Sequence, residues 1–233
     1  MRLLRFLIGL LLIPVCVAVS RAVFGLVVSL GPGDGPGFPA PALALGGGFG
    51  MWLLVFLTLP RPVRTYVAAH ELTHALWGWA MGARVMGIRV GKHSGSVTLS
   101  ESNFLVTLAP YFFPLYTILL IVVYCVLSLF YPMERYYLVW LALVGFTWAF
   151  HVTFTVTTLL QKQSDIRQCG HLFSYGVIYL LNVIGVGLWV VAVSSATVDG
   201  FASHMGKSLQ FVWSGVWAGF AAFGRWARQY SSG

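Results

Sequence analysis

Hydrophobic positions along this chain fall into long, nearly unbroken runs separated by short polar or Gly/Pro-rich breaks, and the length of each run predicts its element. Residues 3–30 form an apolar stretch behind a basic start, long enough to span a bilayer as an uncleaved first helix, with Arg21 snorkelling or facing a partner. The Gly- and Pro-dense segment 31–43 cannot continue a helix and reads as a loop. A second apolar run covers 45–60 and stops at the Pro-Arg-Pro break, where the prolines remove backbone donors. A less oily helix is predicted over 63–82, and its small residues Ala68, Ala69, Ala75, Gly78 and Ala80 allow close helix neighbours.

After Gly82 the period changes. Alternation, glycine breaks and the β-prone Ser-Val-Thr-Leu-Ser of residues 96–100 predict one or two short strands. Three further spans follow at 104–131, 135–160 and 171–195, divided by a Tyr-Pro-Met-Glu-Arg turn and by the polar break Gln-Lys-Gln-Ser-Asp-Ile-Arg-Gln-Cys-Gly. The tail beyond residue 205, with Trp213, Trp217 and Trp226 beside Arg225 and Arg228, reads as an interfacial helix. The fold class expected is all-α and multi-pass, with about five to six membrane-embedded helices and a short β-strand or hairpin insertion. Three segments follow from this: 1–44 as first helix and loop, 45–195 as membrane-embedded core, and 196–233 as interfacial tail.

Composition reinforces the pattern. Hydrophobic residues make up 58% of the 233 and charged residues only 9%, which fits an integral membrane protein with lipid as its main solvent. The net charge of +8 is spread singly or in pairs at the ends of apolar runs, so it marks membrane flanks and excludes a nucleic-acid stripe. Three cysteines, Cys16, Cys125 and Cys169, are an odd number with two inside apolar runs, which argues against a disulfide framework.

The chain has six carboxylates, Asp34, Glu71, Glu101, Glu134, Asp165 and Asp199, so any acid chemistry draws on a short list. One of them lies in Ala69-His70-Glu71-Leu72-Thr73-His74-Ala75. Residues four apart share a helix face, so His70 and His74 can offer two imidazole nitrogens to one ion, with Glu71 beside it to take a proton from water. His-Glu-x-x-His is the pattern of zinc hydrolases, in which zinc activates water and polarises the scissile carbonyl. A carboxylate in a membrane helix costs about 2.5–3.5 kcal/mol on insertion scales, which sets this match apart from a chance one. One Zn2+ per chain is the expected cofactor.

A catalytic zinc takes a third protein ligand. The antiparallel pair predicted at 104–131 and 135–160 returns the polar break to the motif's side of the membrane, which makes Asp165 the favoured candidate. Glu101, close behind the motif, is an alternative, and His171 and Cys169 flank Asp165 as substitutes. His151 stands among threonines in a predicted span and is assigned a supporting role, with His171 and Asn182 as further supporting candidates. His93 and His204 read as interfacial residues.

Taken together, His70-Glu71-Leu72-Thr73-His74, the strands after it, the Leu-Ala-Pro-Tyr-Phe-Phe-Pro opening of the next span and Asp165 ahead of Gly170-His171-Leu172 resemble the site-2 protease family of intramembrane zinc metalloproteases. The resemblance covers residues 45–195 and implies a minimal member without a PDZ domain. It implies His70, His74 and Asp165 as zinc ligands, Glu71 as general base, and hydrolysis of a peptide bond in a membrane-protein or peptide substrate. The family stretch has Asn and Pro ahead of Leu-Asp-Gly where this chain reads Gln-Ser-Asp-Ile-Arg. Two other readings stand beside this one: a membrane zinc protease with Glu101 as third ligand acting on exposed loops, and a metal-binding scaffold without catalysis.

Overall fold

A computed structural model of the chain describes residues 2–30, 39–92 and 94–231, so Asp34, His93 and most of the predicted 31–43 loop lie outside the described residues. The described chain is helical, with one small two-stranded sheet. In chain order its elements are α1 (Arg2–Ser29), α2 (Ala40–Thr58), α3 (Val63–Ala80), β1 (Val85–Val90), β2 (Gly95–Leu99), α4 (Phe104–Phe112), α5 (Leu115–Ser128), α6 (Tyr137–Leu159), α7 (Ser164–Cys169), α8 (His171–Val193) and α9 (Val198–Ser231). Four of these helices are long and apolar enough to cross a membrane: α1, α2, α6 and α8. The pair α4 and α5 would make a fifth span if taken as one.

Two compact units form. In one, α1 packs on α8 and α9. Ser20 and Tyr179 share a hydrogen bond of 2.8 Å, and Ala22, Leu26 and Phe201 make a small core. The α9 helix begins earlier than its aromatic tail suggested, at Val198, and the guanidinium of Arg21 lies 4.2 Å over the Phe211 ring.

The other unit holds α2 to α7 and carries the sequence motif. Its frame is the pair α2 and α6, which cross at contact distance of their backbones. A Cβ at Gly48 would overlap the Ala142 carbonyl, and one at Gly145 would overlap the Leu45 carbonyl. Below that crossing, Trp52, Tyr66, Phe150 and Phe154 form a buried aromatic cluster that seats α3 against α6, with Tyr66 stacked on Phe154 at 4.8 Å. Threonines of α6 bond back to their own helix, as Thr153 does to the Ala149 carbonyl at 2.8 Å and Thr157 to the Thr153 carbonyl at 2.6 Å, which lets these polar residues sit in the apolar run.

The predicted strands form an antiparallel hairpin, with Val90 opposite Gly95, Ile88 opposite Val97, and a bulge near Val85 and Gly87. The β2 strand lies along α3. At one end Gly95 meets Glu71, and at the other the Leu99 side chain fills the space a Cβ at Gly78 would need.

The predicted single span at 104–131 is corrected. Its chain turns by 77° between α4 and α5. Pro114 offers no N–H and forces the residue before it out of the helical region, and Phe113 accordingly sits at φ −102°, ψ 103°. The polar break around Asp165 is not loop throughout but contains the short helix α7.

Candidate metal centre

Three side chains from two distant parts of the sequence converge. His70 Nε2 and His74 Nε2 lie 3.2 Å apart, and Asp165 Oδ2 is 3.5 Å from the first and 3.7 Å from the second. The histidines are brought onto one face by helical spacing in α3, and Asp165 is delivered by the first turn of α7. Among the described residues these three form the one group of His, Cys, Asp and Glu able to hold a metal ion.

The donors fit such an ion. Bonds of about 2.0–2.1 Å in tetrahedral geometry place ligand atoms about 3.3–3.4 Å apart, and the three observed edges fall within a few tenths of an ångström of that. Outer contacts select the ring nitrogens. His74 Nδ1 donates to the Val106 carbonyl at 2.9 Å, and His70 Nδ1 meets the Tyr66 hydroxyl at 3.3 Å. The carbonyl at His74 Nδ1 engages the proton of that nitrogen, and the Nε2 atoms of the two rings face one another and Asp165 Oδ2, the place a cation held by all three would occupy.

Asp165 is held ready as an anion. Burial alone would raise its carboxyl, but hydrogen bonds with His70, His74 and Tyr111 hold it well below the usual carboxylate range. Tyr111 donates its phenol to Oδ2 at 2.9 Å, and Ser164 reaches Oδ1 at 3.4 Å.

Glu71 stands next in sequence to His70 and is buried, with its side chain pressed against the start of β2. A Cβ placed on Gly95 would lie 2.6 Å from Glu71 Cγ and 2.8 Å from its Oε1. A cavity of about 770 Å3 adjoins the group, bounded by α3, β2, the C-terminal end of α6 and α7, and Glu71, His70, His74 and Asp165 all face it.

The other sequence candidates are distributed as follows. Glu101 lines the same cavity but is not one of the three gathered donors. His151 is buried on α6, where its ring bonds the Tyr111 backbone and its Nε2 has no partner among the described residues. His171 opens α8 beside the Tyr175 ring, and Asn182 donates to the Ile178 carbonyl of its own helix at 2.8 Å, so both belong to the other unit. Tyr111 and Gly95 were not singled out from the sequence. An aromatic in an apolar run reads as core and a glycine in a strand as a bulge, and only the fold shows what each touches.

No protein-family model, curated protein or solved structure matches the chain.

Proposed function

We propose that this protein is an intramembrane zinc metalloprotease that hydrolyses a peptide bond in or near a transmembrane segment of a membrane-protein substrate. The observation that carries the reading is the triangle of His70, His74 and Asp165 with Glu71 beside it, facing a cavity, in a chain whose longest helices are apolar enough to cross a bilayer. In this reading α1, α2, α6 and α8 span the membrane and the bent pair α4 and α5 is embedded in it.

His70, His74 and Asp165 would hold the ion. Zinc, when bound, supplies a Lewis acid that polarises a carbonyl and lowers the pKa of water. Glu71 takes the proton of the attacking water on its carboxylate and passes it to the leaving amine nitrogen, which a carboxylate next to a ligand histidine is placed to do. The hairpin presents the free edge of β2 along the cavity, so an unwound substrate segment can add to it as a further strand, its carbonyls exposed for attack.

Zinc per chain, measured by elemental analysis on purified wild type, Asp165→Ala, Glu101→Ala and Glu71→Gln, tests the assignment. The expected result is close to one zinc in wild type, Glu101→Ala and Glu71→Gln, and its loss in Asp165→Ala. Cleavage of a quenched fluorescent peptide with a glycine-interrupted apolar segment should then vanish in Glu71→Gln although zinc remains. Wild type without zinc after supplementation, or Glu71→Gln with undiminished cleavage, would overturn the reading.

A further inference from the structure

The broken helix between α3 and α6 contributes a group to the centre that the ligand triangle does not include. We propose that Tyr111 is a positioning residue for Asp165, a role that rests on the metal reading above. Its ring is fully buried, and its hydroxyl donates to Oδ2, the same oxygen that faces both histidine nitrogens. A carboxylate oxygen has two lone pairs, so one can meet an ion while the other accepts the phenol. The phenol thereby fixes which oxygen faces the histidines and in which direction.

The surrounding structure fixes Tyr111 in turn. The α4 helix stops at Phe112, and a helix end leaves its last carbonyls without partners inside the helix. His151, from α6, donates to the Tyr111 carbonyl and so ties the end of the broken helix to a neighbouring span. The Tyr111 ring also stands edge-on to His70 at 5.3 Å between centroids, touching a second donor of the triangle. One residue therefore orients Asp165 by a hydrogen bond and His70 by packing, and the 77° bend places it there. His151 acts at one further remove, through the Tyr111 backbone.

The test is the zinc dissociation constant, measured by chelator competition on the full-length protein in detergent, for wild type, Tyr111→Phe and Tyr116→Phe. Tyr116 is the control because its hydroxyl donates to the Thr65 carbonyl at 2.9 Å, away from the centre. Tyr111→Phe should weaken zinc about 10–100-fold, as loss of an outer hydrogen bond to a ligand does, while metal-free melting stays at the wild-type value. Tyr116→Phe should leave the constant unchanged. Zinc affinity within twofold of wild type in Tyr111→Phe would overturn the positioning role and leave the metal reading intact, whereas wild type that binds no zinc would overturn that reading itself. An independent readout needs no deletion: 3-fluorotyrosine placed at position 111 alone should shift its fluorine resonance on zinc addition, and an unmoved resonance counts against the role.

Discussion

Gly95 is the residue on which the position of Glu71 depends. Any side chain there begins with a Cβ 2.6 Å from Glu71 Cγ and 2.8 Å from the Arg89 carbonyl oxygen, closer than real Cβ contacts come. The glutamate must then rotate away or the hairpin must lift, because one of the two obstacles is backbone. Gly95→Ala is therefore expected to keep its zinc, since all three ligands lie outside the hairpin, and to lose about 100-fold in kcat, the scale of a misplacement near 1 Å. Zinc content and turnover measured on the same preparation check this. Undiminished turnover would mean that Glu71 is not held by the strand. At this scale the motif was legible because His70, Glu71 and His74 stand at fixed helical spacing, which is a local property. Asp165 could be reached only by a topological argument, and Tyr111 not at all, since nothing in Pro-Tyr-Phe-Phe distinguishes a phenol that meets a carboxylate from aromatic core.

Among elements, the hairpin and the broken helix show opposite degrees of legibility. The hairpin was announced by alternation and by glycine breaks, and its two strands appear at 85–90 and 95–99. The break after α4 was hidden by composition, because hydropathy averages over 104–131 without sensing direction, although Pro114 was in plain view. What the sequence could not convey is that the bend carries α4 beside α7, so that Tyr111 reaches Asp165. The β2 strand invites a test of its own. It is seated on α3 at Gly95 and Leu99 and leaves one edge unpaired along the cavity. A proline at Val97 removes a backbone donor from the middle of a five-residue strand. Val97→Pro should abolish peptide cleavage while zinc stays bound, as read from product release and elemental analysis together. Cleavage that survives the proline would rule out strand addition as the way substrate is held.

At the scale of the whole molecule, the apolar runs made the helices readable in kind and nearly in extent, because a long unbroken apolar run satisfies its backbone polar groups within one helix. Where segments meet was another matter, for it depends on small residues such as Gly48 and Gly145 that let one particular pair of helices close. The second unit now yields a topological prediction. Residues Ser96 of β2 and Gln163 ahead of α7 line one cavity although far apart in sequence, so in the proposed membrane reading both are reached from one side. The α6 helix between Glu134 and Gln163 has 23 residues, about 34 Å at 1.5 Å per residue, which exceeds a hydrocarbon core of about 30 Å. Glu134 must then be reached from the opposite side. Single cysteines at 96, 163 and 134, in a chain with Cys16, Cys125 and Cys169 replaced, can be challenged with an impermeant maleimide on sealed vesicles of known orientation. Protection of 96 and 163 together, with 134 labelled, or the exact inverse, fits the fold. Labelling that separates 96 from 163 would dismantle the cavity, and with it the approach of Asp165 to the histidines. Labelling of 134 along with 163 would mean that α6 does not cross, and the centre would then lie outside a bilayer and work on exposed chains.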